Sequence, residues 1–366
     1  MKTFVKVILI LFLIVAVLVG IVLGGIEWYL HSDSFKQMVR TGLRDSRGFQ
    51  LDDFDVSLFR GVTLKGLTIT NGVSATAGSL TVRHRILPLF QKRAELAEIS
   101  LDRPVFSLPL FAGLVAANNT NRFDMPPELR RSGWQFVLDK FAIRNGDISF
   151  LDAANKPVLR FRDFNLDVSP PQSSGALRAT VASGSLTGSL ALRQPRWQLQ
   201  LDLRDADVPE MFRQAGLPPL LKGKLQTTAA LEGGDSLTGR GRVQIIGGTA
   251  AGMPLMNLLA SLLQTPALRE LQLDEGRMEF TIATNRMHTP VIRMIAKQIE
   301  LTGRGVVSLE DGSLNHDLTL VLSQEVADRA PGAIRRRFTE QTNGRCALGF
   351  HLTGTYAAPK VDIEDR

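Results

Sequence analysis

Apolar and polar residues alternate with a period of two along most of this chain. From Phe49 onward, short runs place an apolar side chain at every second position, and Gly, Asn or Pro residues separate the runs. Such alternation is typical of strands that have one buried and one solvated face, as in antiparallel sheets. The pattern therefore predicts a mainly β protein, built as an elongated antiparallel sheet with few short helices.

Two positions in this pattern predict a local change in a strand. The apolar phase shifts by one residue at Gly66, which predicts a β-bulge. Asn145 and Gly146 lie between two alternating runs, and this dipeptide is a strong signal for a hairpin turn.

A tripeptide, Leu-Thr-Gly, recurs in the C-terminal half of the chain. Its copies lie at 186–188, 237–239, 301–303 and 352–354. Each copy introduces an alternating run, so we interpret it as a recurring strand in which glycine permits a bend or a close backbone approach.

Helical spacing is confined to three predicted segments. Residues 33–47 carry apolar side chains three and four positions apart and precede Gly48, a typical C-terminal stop. Residues 254–264 begin with Pro254, which suits a first helical position, and continue with a stripe of leucines. A further helix is predicted near 324–337.

The chain begins with two lysines and a long uncharged apolar run. Lys2 and Lys6 precede the run 7–26, and Trp28 and Tyr29 follow it. A helix that spans a bilayer needs about 20 apolar residues, and flanking lysines favour a cytoplasmic N-terminus. The alternative is a cleaved signal peptide, whose apolar core is usually about 7–15 residues and precedes a small-residue cleavage site that is missing here. We predict an uncleaved single-span anchor with the rest of the chain outside the cytoplasm.

Changes of pattern divide the chain into four predicted parts. Residues 1–31 form the transmembrane anchor, and residues 32–110 form an N-terminal β unit with its capping helix. Residues 111–133, which contain several Asn and Pro residues, form a linker or loop. Residues 134–366 form a C-terminal β domain.

Composition and charge fit an anchored, folded body. Hydrophobic residues make up 44% of the chain, so a large apolar surface must be buried or used. The net charge of +7 is modest and suits either a solvated surface or contact with anionic headgroups. Because Cys346 is the single cysteine, no intrachain disulfide can form.

Residues that carry catalysis or bind metals form no recognisable pattern. No two of the five histidines share a ligand spacing. They are His31, His84, His288, His316 and His351. The single cysteine excludes a common thiolate zinc site, Gly-x-Ser-x-Gly is missing, and the carboxylates are scattered. We predict a protein that is not an enzyme and needs no metal or cofactor.

Basic residues occur in separate small clusters. The clusters are Arg83 with Arg85, Lys92 with Arg93, Arg130 with Arg131, and Arg335 to Arg337. Because no aromatic residues are interleaved, nucleic-acid binding is not predicted. The clusters suit a solvated surface or the phosphates of lipid headgroups.

Several strand-and-turn motifs carry a family resemblance. They are GFQL at 48–51, GVTLKGLTI at 61–69, ISLDRPVF at 99–106, GRVQIIGG at 241–248, LTGRGVV at 301–307 and GTYAAPKV at 354–361. Together with the predicted anchor and capping helix, they resemble the AsmA-like family of bacterial envelope proteins. This chain is short for that family.

The resemblance implies a long, curled β-sheet that is open along one side, similar to the chorein-type lipid bridges of eukaryotes. The implied protein is anchored in the inner membrane with its body in the periplasm. Its implied role is to support outer-membrane biogenesis, with phospholipid transport through an apolar β-groove. The implied partners are membrane phospholipids, the inner membrane and, at the distal end, other envelope proteins.

We expect acyl chains to contact the inward face of the N-terminal strands. The expected lipid-binding residues are Phe54, Val56, Leu58, Val62, Leu64, Leu67, Ile69, Leu80, Val82, Ile99 and Leu101. Each methylene that such a face shields from water contributes about 0.8 kcal/mol. A closed protein core would show the same alternation, so an anchored scaffold or assembly factor for outer-membrane proteins remains the alternative.

Overall fold

The computed structural model describes residues 27–35, 37, 49–69, 74–91, 93–109, 135–151, 155–193, 196–216, 218–234, 236–297, 299–309, 311–341, 343–355 and 358–363. Within these residues the protein is mainly β, with 21 strands and a few short helices. This confirms the prediction of a mainly β protein with few short helices.

The strands, numbered in chain order, are β1 Phe49–Gln50, β2 Asp53–Ser57, β3 Gly61–Ile69, β4 Ser74–Arg85, β5 Arg93–Asp102, β6 Val105–Pro109, β7 Gln135–Leu138, β8 Phe141–Leu151, β9 Pro157–Ser169, β10 Ser174–Val181, β11 Gly184–Arg193, β12 Arg196–Asp207, β13 Leu221–Gly233, β14 Thr238–Ala251, β15 Glu270–Ala283, β16 Arg286–Ala296, β17 Ile299–Ser308, β18 Ser313–Ser323, β19 Thr339–Glu340, β20 Arg345–Thr355 and β21 Pro359–Ile363. The helices are α1 Val208–Gln214, α2 Pro254–Leu262, α3 Gln324–Ala327 and α4 Gly332–Arg335, with 3-10 turns at Leu87–Gln91, Pro170–Gln172 and Pro266–Arg269. Residues 27–30 and 33–35 are also helical.

The chain forms two compact units. The described residues of unit 1 come from 27–106, 135–146 and 166–172, and those of unit 2 come from 107–109, 147–165 and 173–363. Strands β6, β8 and β9 therefore contribute residues to both units. Residues 135–146 belong to unit 1, although they fall within the predicted C-terminal domain. The predicted linker at 111–133 lies outside the described residues.

The sheet of unit 1 is mixed rather than purely antiparallel. Strands β2 to β5 pair with their sequence neighbours in antiparallel fashion. Strand β5 also pairs in parallel with β7 and β8. The antiparallel prediction is therefore wrong for these two pairs. A parallel pair needs a long crossover, and the chain between Asp102 and Gln135 is long enough to provide one.

Unit 2 is a series of antiparallel neighbours. Strands β10 to β18 pair in sequence order, and β20 pairs with β18 and β21. A dry core lies under α2, α3 and α4, where Leu259, Leu320 and Leu322 are fully buried.

The predicted bulge at Gly66 is wrong. Lys65 pairs with Ser79 and Leu67 pairs with Ala77, so β3 gains no extra residue relative to β4. Gly66 has a left-handed φ of 62°, which glycine adopts without steric cost. The phase of the apolar pattern therefore changes at a backbone distortion that keeps the register.

The predicted hairpin turn at Asn145 and Gly146 is also wrong. Strand β8 continues through both residues to Leu151. Asn145 has a φ of 51°, and Gly146 is buried. Asparagine tolerates the left-handed conformation, so the dipeptide distorts a continuous strand instead of reversing it.

The helix predictions have three outcomes. Helix α2 confirms the helix predicted at 254–264. The segment 324–337, predicted as one helix, forms α3 and α4, because Pro331 lies between them and a proline interrupts a continuous helix. Of the predicted helix 33–47, residues 33–35 are helical, and most of the remainder lies outside the described residues.

Candidate functional site

Most of the predicted lipid-binding residues share one face of unit 1. Residues that pair directly across neighbouring strands project to the same side of a sheet. The register forms two rows across β2, β3, β4 and β5. The first row is Val56, Val62, Val82 and Ile99, and the second is Phe54, Leu64, Leu80 and Leu101. Phe141 and Ile143 of β8 extend these rows.

Of the eight predicted residues that form the two rows, seven are only partly buried. Phe54 is the exception, since it is 1% exposed and its ring centroid lies 6.3 Å from that of Phe35. The helical segment after the predicted span thus covers one end of the second row. Because Phe54 is covered, we leave it out of the surface that a ligand could reach in this conformation.

The three remaining predicted residues do not join these rows. Leu58 lies in the turn between β2 and β3. Leu67 pairs with Ala77 and Ile69 pairs with Ala75. Both positions lie an odd number of residues after Leu64 in β3, so they belong to the other face of the sheet. The structure therefore brings together eight of the eleven residues.

Unit 2 carries a longer apolar face, which the predicted set did not include. Three rows of directly paired residues cross its strands, and we call these rows the apolar face of unit 2. The middle row is Leu177, Gly188, Leu201, Ala229, Gly241 and Phe280. The outer row is Gly175, Leu190, Leu199, Leu231, Gly239, Ile282, Met287, Val307 and Leu314. The inner row is Ala179, Leu186, Leu203, Thr227, Val243, Met278, Ile292, Gly303, Leu318 and Phe350.

Burial of this face changes sharply along the strands. Beyond the inner row, Leu320 and Leu348 are 0% and 1% exposed under the helices. In the outer and inner rows, by contrast, Leu231, Val243 and Met278 are only half-buried. Solvent therefore reaches the apolar side chains of the central strands, which differ in this respect from the dry core.

Glycines on the apolar face lie under neighbouring side chains. A methyl group at Gly303 would lie 2.5 Å from Cδ2 of Leu318, and one at Gly241 would lie 2.5 Å from Cζ of Phe280. The side chains of Leu318 and Phe280 thus occupy the space in which a side chain at these glycines would lie. This confirms the close approach predicted for Leu-Thr-Gly at Gly303. That copy lies inside β17, which begins at Ile299, and so does not introduce the strand as predicted.

One buried polar pair interrupts the apolar face. Thr289 and His316 are 1% and 5% exposed. The Thr289 hydroxyl donates to the Gly305 carbonyl at 3.2 Å and lies 3.1 Å from Nε2 of His316. Nδ1 of His316 has no hydrogen-bond partner within the part of the chain that the structure describes. Burial lowers the pKa of His316.

The opposite face of unit 2 is polar. A depression of about 830 Å³ on this face lies beneath the backbone of the middle row, among Asp202, Arg242 and Glu279. Both Arg242 and Arg277 bond to the Glu279 carboxylate, which lowers the pKa of Glu279. The Glu279 carboxylate in this depression is therefore paired with two guanidinium groups.

No metal-binding cluster of three or more His, Cys, Asp or Glu side chains occurs among the described residues. Cys346 is buried, and its thiol donates to the Gln324 side-chain oxygen at 2.9 Å. Burial raises the pKa of this thiol, which disfavours the reactive thiolate.

The predicted transmembrane run at 7–26 lies outside the described residues. Among the helices that the structure does describe, none is long and apolar enough to cross a membrane.

Comparison with known proteins adds no relative to these observations: no protein-family model, no curated protein and no solved structure matches the chain.

Proposed function

We propose that this protein is an inner-membrane-anchored periplasmic protein that supports outer-membrane biogenesis by carrying phospholipid acyl chains along its apolar β faces. The anchor is the predicted span at 7–26, and the family resemblance described above motivates the compartment. The apolar faces of the two units are the proposed acyl-binding surfaces.

The central part of the apolar face of unit 2, where Leu231, Val243 and Met278 are only partly buried, is the observation that carries this proposal. Apolar surface left in water costs roughly 25 cal/mol per Å², and a contiguous exposed patch usually marks a binding surface. The rows run across many strands, so the surface is much longer than one side chain. A ligand with long, flexible hydrocarbon chains matches this shape, whereas a compact polar ligand does not.

The position of the dry core also supports a groove. The helices cover the side chains beyond the inner row and leave side chains of the central strands, such as Leu231, Val243 and Met278, partly accessible. The covered part therefore supplies folding stability, and the accessible part is available to a ligand. Acyl chains lying along the rows would bury methylenes, and their headgroups would stay in water.

A photoreactive residue tests the proposal directly. We expect a crosslinker at Val243 or Met278 in unit 2, and at Val56 or Leu64 in unit 1, to capture phospholipid in cells. Gln244 provides the matched control, because it neighbours Val243 in β14 but projects to the polar face. Mass spectrometry identifies the captured lipid. Equal capture at Val243 and Gln244, or none at any of the four apolar positions, would contradict the proposal.

The alternative is an anchored scaffold or assembly factor without a lipid-carrying groove. The contact between Phe35 and Phe54 favours this reading for one end of unit 1, because there the apolar face is covered by protein. A scaffold predicts that the crosslinkers capture protein segments or nothing, while the full-length chain still complements a deletion strain.

A further inference from the structure

Four large aromatic or aliphatic side chains are exposed at one end of unit 1. Trp28 is 76% exposed, Tyr29 is 49% exposed, Phe59 is 60% exposed and Leu87 is 80% exposed. Trp28 and Tyr29 lie in the helical segment 27–30, and Phe59 and Leu87 lie in the turns that follow β2 and β4. Large apolar side chains that cluster at a surface usually mark an interaction site.

Strand pairing places these segments at the same end. The turn that contains Phe59 joins β2 to β3, and Val62 at the start of β3 pairs with Val82. Leu87 follows closely after β4 ends, in the 3-10 turn that leads to β5. Because β3 and β4 are antiparallel, the turn that contains Phe59 and the turn that contains Leu87 lie at the same end of these strands.

Hydrogen bonds join the segment that contains Trp28 to the turn that contains Phe59. One oxygen of the Glu27 carboxylate accepts a bond from the Ser57 hydroxyl at 2.5 Å, and the other accepts a bond from the Leu58 backbone N–H at 2.6 Å. Trp28 follows Glu27 directly, and Phe59 follows Leu58 directly.

We propose that this end of unit 1, defined by Trp28, Tyr29, Phe59 and Leu87, lies in the interfacial layer of the phospholipid bilayer. The inference rests on the proposed anchor, because the uncharged run 7–26 leads directly into Glu27. Trp and Tyr side chains favour the headgroup region, and an apolar side chain on a docked segment adds to membrane binding in proportion to its buried area.

Charge near the turn is compatible with this position. Arg60 is exposed next to Phe59, where its guanidinium can meet lipid phosphates. Arg85 and Arg93 are also at this end, and both pair with Glu95 at 3.0 Å, so they contribute less attraction. The interfacial position would bring the row of Val56, Val62, Val82 and Ile99, which lies nearer this end than the second row does, next to the bilayer, where lipid would enter.

Nitroxide quenching of a fluorescent label tests the inference. The full-length chain with Cys346→Ser and Phe59→Cys would carry an environment-sensitive label and be reconstituted into phosphatidylcholine–phosphatidylglycerol vesicles that contain a nitroxide lipid. Serine at 346 can retain the bond to Gln324. Val105→Cys is the matched control, because Val105 is 44% exposed and follows the far end of β5. Strand β5 has 10 residues, which separates the two sites by about 30 Å.

We expect quenching at Phe59→Cys to exceed quenching at Val105→Cys by roughly threefold, with a blue shift only at position 59. A label at Leu87→Cys should behave like the label at 59. Integration into the vesicles with equal quenching at 59, 87 and 105 would overturn this inference alone. Extraction of the chain from the vesicles by carbonate would overturn the proposed anchor, and the inference would fall with it.

Discussion

At the scale of single residues, His316 is the least expected group on the apolar face of unit 2. Its ring lies over Gly305, where an added methyl would come within 2.4 Å of the imidazole carbons. Nε2 faces the Thr289 hydroxyl, and Nδ1 lacks a partner among the described residues. A buried polar atom without a partner typically costs about 1–3 kcal/mol, so the site is a local weakness in unit 2.

We predict that His316 makes the stability of unit 2 depend on pH. Burial holds its folded-state pKa below the usual value of 6.5; nearby Asp317 raises that pKa and His351 lowers it, both less than burial does. The unfolded chain therefore binds a proton first as the pH falls. The contribution of neutral His316 is fully present above about pH 6.5 and is lost as the pH falls through the folded-state pKa.

Replacing the imidazole with a phenyl ring tests this dependence. Denaturant unfolding of His316→Phe between pH 5 and pH 7.5 should show a smaller loss of stability than the wild-type protein shows. His351→Phe is the control, since His351 pairs with Asp317 at the surface. An unchanged pH profile in His316→Phe would show that other groups set the dependence.

The lining of unit 1 shows what alternation can and cannot predict about residues. Alternation predicts which positions share a face, and strand pairing places Val56, Val62 and Val82 in one row. It does not predict that Phe35 covers Phe54, because that contact joins a helical segment to a strand across intervening chain. It also misplaces Leu67, because Gly66 changes the apolar phase without changing the register.

At the scale of elements, the sequence predicts structure that depends on neighbouring residues, and it does not predict structure that depends on residues distant in the chain. A proline followed by a leucine stripe suffices to predict α2, since proline at the first turn and the spacing of its leucines are local features of the sequence. Strand partners depend on chain distant in sequence, so the parallel pairing of β5 with β8 is not readable from the pattern. The dipeptide Asn145–Gly146 suits a turn locally, but the strand context of β8 overrides it.

Helix α2 provides a test of the dry core. Leu259 is fully buried in it, whereas Leu258 on the same helix is half-buried. We expect Leu259→Ala to lower the free energy of unfolding by about 2–5 kcal/mol, because it leaves a cavity in a packed core. Leu258→Ala should cost clearly less. Chemical denaturation of both variants measures the difference, and equal losses would mean that α2 does not seal the core as the burial indicates.

At the scale of the whole molecule, one sheet face in each unit remains apolar and partly open to solvent. A closed core would bury these side chains, as α2 and its neighbours do beyond the inner row. The sequence predicts two-faced strands throughout, but it cannot distinguish a covered face from an open one. Exposure of Leu231, Val243 and Met278 makes that distinction, and it is the reason that a lipid carrier is preferred over a simple scaffold.

A matched pair of charge substitutions in β14 decides between these two roles. Val243→Asp places a carboxylate on the apolar face of unit 2, and Gln244→Asp makes the same change in charge on the polar face. Because Val243 is only half-buried, its aspartate can remain hydrated and the variant should stay folded, while an acyl chain would have to pass a charge. We expect Val243→Asp to lose co-purified phospholipid and complementation, and Gln244→Asp to keep both. Mass spectrometry of bound lipid and thermal unfolding measure the two effects separately. Loss of folding in Val243→Asp, with no lipid on the wild-type protein, would instead identify the face as core and favour the scaffold.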